Sequence, residues 1–511
     1  MKSILFSILV FISFFSYSQT KYLYSVDLTK AADDMLSVEL MAPKIESKSI
    51  SFFMPKLVPG TYRYSDYGKF VHNLKAFDGK GKELSVTHPN DNEWIIKKSH
   101  KLSKITYTIE DTWDSKIANE VYLMSGTTFE DGKNFSINTC GVFGYLDGMK
   151  KLPIEVHFTK PSGFYASSGV KVSRSDDAHD VFNYQNVDHF YDSPVMFCIP
   201  DTTIVKVGDA EVLISVYSPK HMMKSKSIAD RLTPLLNAAK KYLGGKLPVD
   251  KYAFIYYFNG EQRIQMTYAG AWEHSYSSFY SMPELPESYL LNPVIDMSSH
   301  EFFHIITPLT ICSKEIREFN FNQPELSKHL WLYEGSTEYD AHHVQVTNGL
   351  KTPDQFYKIL EGNIKASRAQ YNDTLPFTEM SKECAGKYKN QYNNVYVKGM
   401  LISACMDILL LDKSDGAYTM NHLKHDLGVK YGKVNYFNDD ELFGVIENMT
   451  YPEIHQFLQT YVSGTKAIPY QDILRIVGVT YDPATGHVSA DPNADPRQIR
   501  LRNAWLGVCN N

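Results

Sequence analysis

The sequence predicts a multidomain α+β protein: an N-terminal all-β sandwich, a central region that mixes strands and helices, and a C-terminal helical region. Three observations predict it. The 511 residues exceed what one hydrophobic core supports, so two to four domains are expected. As far as Val216, short runs with apolar residues at every second position are separated by turn residues. Near Ser227 the apolar period changes to that of a helix, and from about Gly349 to about Leu474 the chain reads as mostly helical.

Composition narrows the class. The chain is 43% hydrophobic and 22% charged, the balance of a folded soluble protein, and its net charge of −6 gives no basic face for nucleic acid. Residues 1–18 read as a signal peptide. Lys2 precedes the apolar run Ile4 to Phe15, and Ser16-Tyr17-Ser18 supplies small residues for cleavage near Ser18/Gln19, so export to the periplasm or medium is expected. That run is too short to span a bilayer, and Leu401 to Leu411 is short and carries Asp407, so no transmembrane segment is expected. Six cysteines without close spacing indicate neither a zinc knuckle nor a dense disulfide framework, although one or two disulfides stay open.

Residues 19–205 form the expected sandwich. Leu36, Val38 and Leu40 alternate with polar neighbours, as do Ile105, Tyr107 and Ile109, and Pro59-Gly60 and Asp78-Gly79 mark turns. No cluster of catalytic residue types stands out in it, and His72, His157 and His189 read as ordinary histidines. Ser227 and Asp230 resemble a capping box, opening a helix that Gly244-Gly245 stops. Tyr252 to Phe258 is a buried strand. A helix carrying His300 to His304 follows, then a second from a candidate N-cap at Ser327 to about 346. Further helices are expected near 353–369, 395–411, 438–447 and 451–462.

The chemistry concentrates in His300-Glu301-Phe302-Phe303-His304. Histidines four apart share a helix face and can bind one Zn²⁺, while the glutamate between them can reach an activated water as general base. With 17 His in the chain, a chance match is expected roughly 0.03 times. Glu334, in Trp331-Leu332-Tyr333-Glu334-Gly335-Ser336-Thr337-Glu338-Tyr339, can complete a His₂Glu set and leave the fourth position open. Glu338, one turn on, suits the free N–H of a ligating histidine. A solvated acidic face is the bland alternative, but the apolar flank argues for burial, where unpaired carboxylates are costly. His342 and His343 are competing ligands of lower rank.

These segments together resemble the glycyl aminopeptidase family of gluzincin zinc metallopeptidases, related to thermolysin. The resemblance rests on His300 to His304, on Leu330 to Tyr339, and on Met54-Pro55 to Pro59-Gly60-Thr61-Tyr62. It also rests on Tyr191-Asp192-Ser193-Pro194, Gly270-Ala271-Trp272-Glu273-His274 and Tyr396-Val397-Lys398-Gly399, and it spans roughly residues 21–480. It implies a thermolysin-like α/β zinc peptidase domain over 206–325, and a third-ligand helix and helical domain over 326–480. One Zn²⁺ per chain on His300, His304 and Glu334 is implied, with Glu301 as general base and Tyr396 as oxyanion donor. Glu273 and Gly270 are implied to bind the substrate, Glu273 through its α-ammonium. By residue pattern alone Tyr396 is a core tyrosine and Glu273 a loop carboxylate.

Two departures stand out. Ile305-Ile306-Thr307-Pro308 replaces the family's usual continuation after the second histidine, and residues 481–511 are too few for the PDZ domain many members carry. That tail is expected to be a remnant, a truncation or an extension docked on the body. The expected function is removal of a small N-terminal residue, such as Gly or Ala, from peptides. The alternatives are a gluzincin endopeptidase or other zinc hydrolase, and a catalytically silent zinc-containing peptide-binding protein.

Overall fold

The structure, a computed structural model, describes residues 20–199, 201–260 and 269–508. The signal peptide expected at 1–18 and Cys509 lie outside the described residues.

The N-terminal region is built from three sheets. The largest has eight strands, with Tyr22–Asp27 at its centre between Ile154–Thr159, which runs parallel to it, and Met35–Met41, which runs antiparallel. Met35–Met41 pairs in turn with Leu102–Glu110, in a register that sets Leu36 opposite Ile109, Val38 opposite Tyr107 and Leu40 opposite Ile105. All six are buried. The alternation in the sequence is therefore the inner face of this sheet, closed over by two four-stranded sheets.

A five-stranded sheet follows. Its spatial order is Asp201–Val207, Ala210–Tyr217, Lys251–Asn259, Ser277–Pro283 and Gly270–Glu273. The middle pairs are parallel, and Gly270–Glu273 closes the edge antiparallel to Ser277–Pro283. Within Lys251–Asn259, residues 252–258 are an unbroken buried apolar run because both faces are covered. Tyr252, Phe254 and Tyr256 pack under helices, while Ala253, Ile255 and Tyr257 meet Trp113 and Met124 of a loop from the N-terminal region.

The crossover helix is Ser225–Tyr242, which begins two residues before the expected start. The Ser227/Asp230 capping box does not form. Asp201 accepts from the Ser225 amide at 3.1 Å and Asp230 pairs with Lys226, so a strand carboxylate caps the helix in place of a local one. The second expected helix also starts differently. Ser327 is tied to Asp439 and to the His329 amide, and regular structure begins with a π-helical turn, Trp331–Gly335, that runs into the α-helix Ser336–Thr347.

Asn394–Lys413 is the central helix of the C-terminal region. It is long and apolar enough to cross a membrane, yet 83% of its apolar window is buried inside the protein. It crosses the π turn at Gly335 and Gly399, where a Cβ on Gly335 would lie 2.4 Å from the Gly399 backbone. Two glycines let the helices touch. The tail beyond residue 480 is a docked extension: its helix Pro496–Leu506 buries Trp505, whose indole N–H donates to Tyr339 Oη at 2.9 Å. The five described cysteines are free and buried, which removes disulfides among them.

Candidate metal and peptidase site

The histidine helix Glu287–Phe303 ends at His304, its C-cap, so His300 and His304 sit one above the other at the helix end. Their rings are 4.7 Å apart and nearly perpendicular. Each ring is fixed through Nδ1. His300 Nδ1 lies 2.6 Å from Glu338 Oε2, and His304 Nδ1 lies 2.9 Å from the Thr307 carbonyl oxygen. Carboxylate and carbonyl oxygens only accept, so both Nδ1 atoms carry a proton and it is the Nε2 atoms that can be offered to an ion.

Those atoms converge with Glu334. The two Nε2 atoms are 3.0 Å apart, and each is 3.4 Å from Glu334 Oε2. A tetrahedral zinc with ligands at 2.0–2.1 Å sets its donors about 3.4 Å apart, so this buried triangle fits the ion. Glu334 lies in the π turn, which swings its carboxylate toward the histidines while Glu338, on the following α-helix, reaches the far edge of the His300 ring.

Glu301, 6% exposed, leaves its Oε2 without a hydrogen-bond partner. Glu273, the last residue of the edge strand, joins it: Glu273, Glu301 and His304 each bring one potential donor atom within 4.8 Å of the others. Burial first, then the Glu334 and Glu301 charges, pushes Glu273 up to about 8 against the pull of His304. Glu301 is raised too, chiefly by burial. Burial opposes charge on His304, but the Glu334 and Glu273 carboxylates hold it up at about 9. Three buried carboxylates around two imidazoles call for positive charge, as the donor set of a divalent metal does.

The remaining expected residues divide. Tyr396, on the central helix, lies with its ring 5.5 Å from His300 and its hydroxyl 2.6 Å from that of Tyr392. Gly270 is three residues before Glu273 on the strand, on the opposite face, packed against Met124. The competing histidines lie elsewhere: His342 bridges Glu338 and Lys351, and His343 stacks on Tyr339 and meets the Trp505 carbonyl.

The sandwich, where no catalytic cluster was expected, reaches the site. Tyr62 Oη donates to Glu334 Oε1 at 2.8 Å, and a Cβ on Gly60 would lie 2.4 Å from Glu273 Oε1. The Pro59 carbonyl accepts from the Trp272 indole at 3.1 Å. Pro59-Gly60 marked the turn, and the signal for its place at the site was its part in the family resemblance.

Among curated proteins none matches this sequence significantly. Among solved structures, an aminopeptidase N family protein from Idiomarina loihiensis is similar with a TM-score of 0.78 at 19% identity, over 90% of this chain and 78% of that one. An M1 zinc metallopeptidase from Deinococcus radiodurans gives 0.53 at 12% identity, over 88% and 95%. A mutant of it bound to a Tyr-Ser-Ala substrate gives 0.55 at 10% identity over the same shares. At these identities the likeness is one of fold. The family model of the peptidase M61 N-terminal domain matches residues 23–199, which hold Gly60 and Tyr62. That of the M61 glycyl aminopeptidase matches residues 293–402, which hold both histidines, Glu334 and Tyr396. With more than half of its length matched by the two models of one family, the chain belongs to the M61 glycyl aminopeptidases and is a zinc metallopeptidase.

Proposed function

We propose that this zinc aminopeptidase cleaves only the first peptide bond of its substrates, prefers small N-terminal residues such as Gly or Ala, and acts after export. In this reading one Zn²⁺ is held by His300, His304 and Glu334. Bound there, the ion would supply Lewis acidity to a water and to the scissile carbonyl.

The chain's own groups do the rest. Glu301, buried and with a free oxygen, takes a proton from the attacking water and passes it to the leaving amine. Burial favours this cycle because it raises the carboxylate's affinity for the proton it must hold briefly. Tyr396 donates a hydrogen bond from its hydroxyl to the oxyanion that forms on the carbonyl. Glu338 and the Thr307 carbonyl keep the imidazoles in one tautomer, and Tyr62 holds the spare oxygen of Glu334.

The observation that carries the exopeptidase reading is the position of Glu273 beside Glu301 and His304. A carboxylate this close to the reacting carbonyl can pair with the α-ammonium of a bound N-terminus and leaves no room for a preceding residue. The substrate's cation also counters the repulsion that raises Glu273. Trp272 and the Gly60 turn crowd the same spot, which favours small side chains. Turnover of free and N-acetylated aminoacyl and peptide substrates tests the reading. Hydrolysis of the free series alone is expected; hydrolysis of the acetylated series overturns it in favour of an endopeptidase.

A further inference from the structure

Outside the peptidase site, the described residues bring a third group of acidic side chains within reach of a single ion. Asp34, Asp111 and Asp114 each turn one oxygen to within 4.8 Å of the others. The sheet brings them together: Met35 pairs with Glu110, and one residue beyond, the Asp111 amide donates to the Asp34 carbonyl at 2.9 Å. Asp34 and Asp114 are exposed, but Asp111 is 2% exposed. Its Oδ2 accepts from the Phe129 amide at 3.0 Å, while its Oδ1 is buried and accepts from no N–H or hydroxyl donor.

A buried carboxylate oxygen without a donor is costly, and the neighbours make it worse. Burial, then close carboxyl–carboxyl contact with Asp114 and its charge, then the Asp34 charge, pushes Asp111 up to about 8 against the Phe129 amide. Asp34 is raised by burial and by Asp114, Asp33 and Glu110, all of them acidic. The charged neighbours that raise Asp34 and Asp111 are all acidic, and among the described residues none of the three carboxylates has a cationic side-chain partner, so a bound cation would relieve the cluster.

We propose that Asp34, Asp111 and Asp114 bind one Ca²⁺. Every donor is oxygen, which selects a hard cation over zinc or another transition metal. An ion with oxygens at about 2.4 Å bridges donors as far apart as these, and two carboxylates on exposed stems suit calcium's irregular shell better than the strict octahedron of magnesium. The ion would tie down the root of the loop that leaves Asp111. Further along, Trp113 packs edge-on to Tyr257 at 4.5 Å, Glu120 pairs with Lys389, and Met124 backs Gly270 on the edge strand that ends in Glu273. The loop joins the sandwich to the edge strand and the helical region, and calcium would fasten its fixed end.

The test is calorimetric titration of CaCl₂ into the zinc-loaded full chain, freed of calcium by dialysis, with MgCl₂ titrated in parallel and melting followed at each point. One site is expected with a Kd on the order of 10⁻⁴ M, weaker binding of magnesium, and a rise in melting temperature on the order of 5 °C at saturation. D114N and D34N, both at exposed positions outside the peptidase machinery, are expected to weaken calcium binding at least about tenfold while keeping calcium-free peptidase activity. Absence of both heat and melting shift up to about 10 mM calcium, equal binding of magnesium, or undiminished binding by the D34N/D114N double variant overturns the proposal.

Discussion

Tyr62 and Glu334, 272 residues apart, are joined by a hydrogen bond of 2.8 Å in which the sandwich tyrosine holds Oε1 of the carboxylate whose Oε2 faces both histidines. The tyrosine adopts a left-handed backbone, φ 47°, two residues after Gly60 at φ 84°. Such a conformation costs a bulky residue about 1–3 kcal/mol and persists where the surroundings enforce it. The Thr61 hydroxyl helps by donating to the Val58 carbonyl at 2.9 Å.

This relationship predicts that Tyr62→Phe weakens the metal site without unfolding the protein. The ring keeps its packing 5.5 Å from Tyr392, but Glu334 is left with a buried oxygen lacking a donor. Zinc affinity is expected to fall about 10–100-fold, the usual cost of losing a ligand's supporting hydrogen bond. Competition against a chromophoric chelator measures it, and an unchanged affinity refutes the positioning role.

Glu301→Gln separates metal binding from turnover. The amide is nearly isosteric, and Glu301 Oε2 has no partner to lose. Zinc content by metal analysis is expected to match that of the unaltered chain, while kcat drops about 10²–10⁴-fold, the contribution of a general base. Retained turnover removes Glu301 from that role.

Gly335→Ala tests the contact that sets Glu334. The new Cβ meets Gly399 backbone atoms at 2.4–2.5 Å, and backbone cannot swing aside as a side-chain tip can. A loss of about 1–3 kcal/mol in denaturant unfolding is expected from the overpacking, with activity falling further because the displaced turn carries the carboxylate. Stability equal to the unaltered chain means the helices have slack that the structure does not have.

Much of the site was legible in the sequence because helices convert spacing into direction. His300, Glu301 and His304 needed only a period of 3.6, and Glu334 and Glu338 one more helix. Tyr62 was not legible, since its position depends on how a turn of one domain docks against a helix of another, and no periodicity records that. The Asp34, Asp111 and Asp114 group was hidden likewise, its members being brought together by strand register. In the fold, the sandwich strands followed from alternation. The Ser225 start was missed because its cap, Asp201, is on a strand 24 residues earlier. The π turn at Trp331–Gly335 arises from packing at two glycines, and local propensity does not specify it.

His329, just ahead of that turn, makes stability depend on acid. It is buried, with Nδ1 accepting from the Trp331 indole at 3.1 Å and Nε2 2.7 Å from the Asp439 carbonyl, an arrangement only the neutral ring satisfies. Burial pulls its pKa down from 6.5 to about 4 against the raising effect of Asp439. Between those values the unfolded chain binds a proton that the folded chain does not, so stability rises with pH across the window. The contribution is whole above pH 6.5 and is lost as pH falls toward 4, on the order of 3 kcal/mol in all. His329→Gln is expected to lower the melting temperature at pH 7.5, where its hydrogen bonds are imperfectly replaced, and to flatten the decline between pH 6.5 and 4.5. An identical slope in the two proteins places the acid sensitivity on other groups.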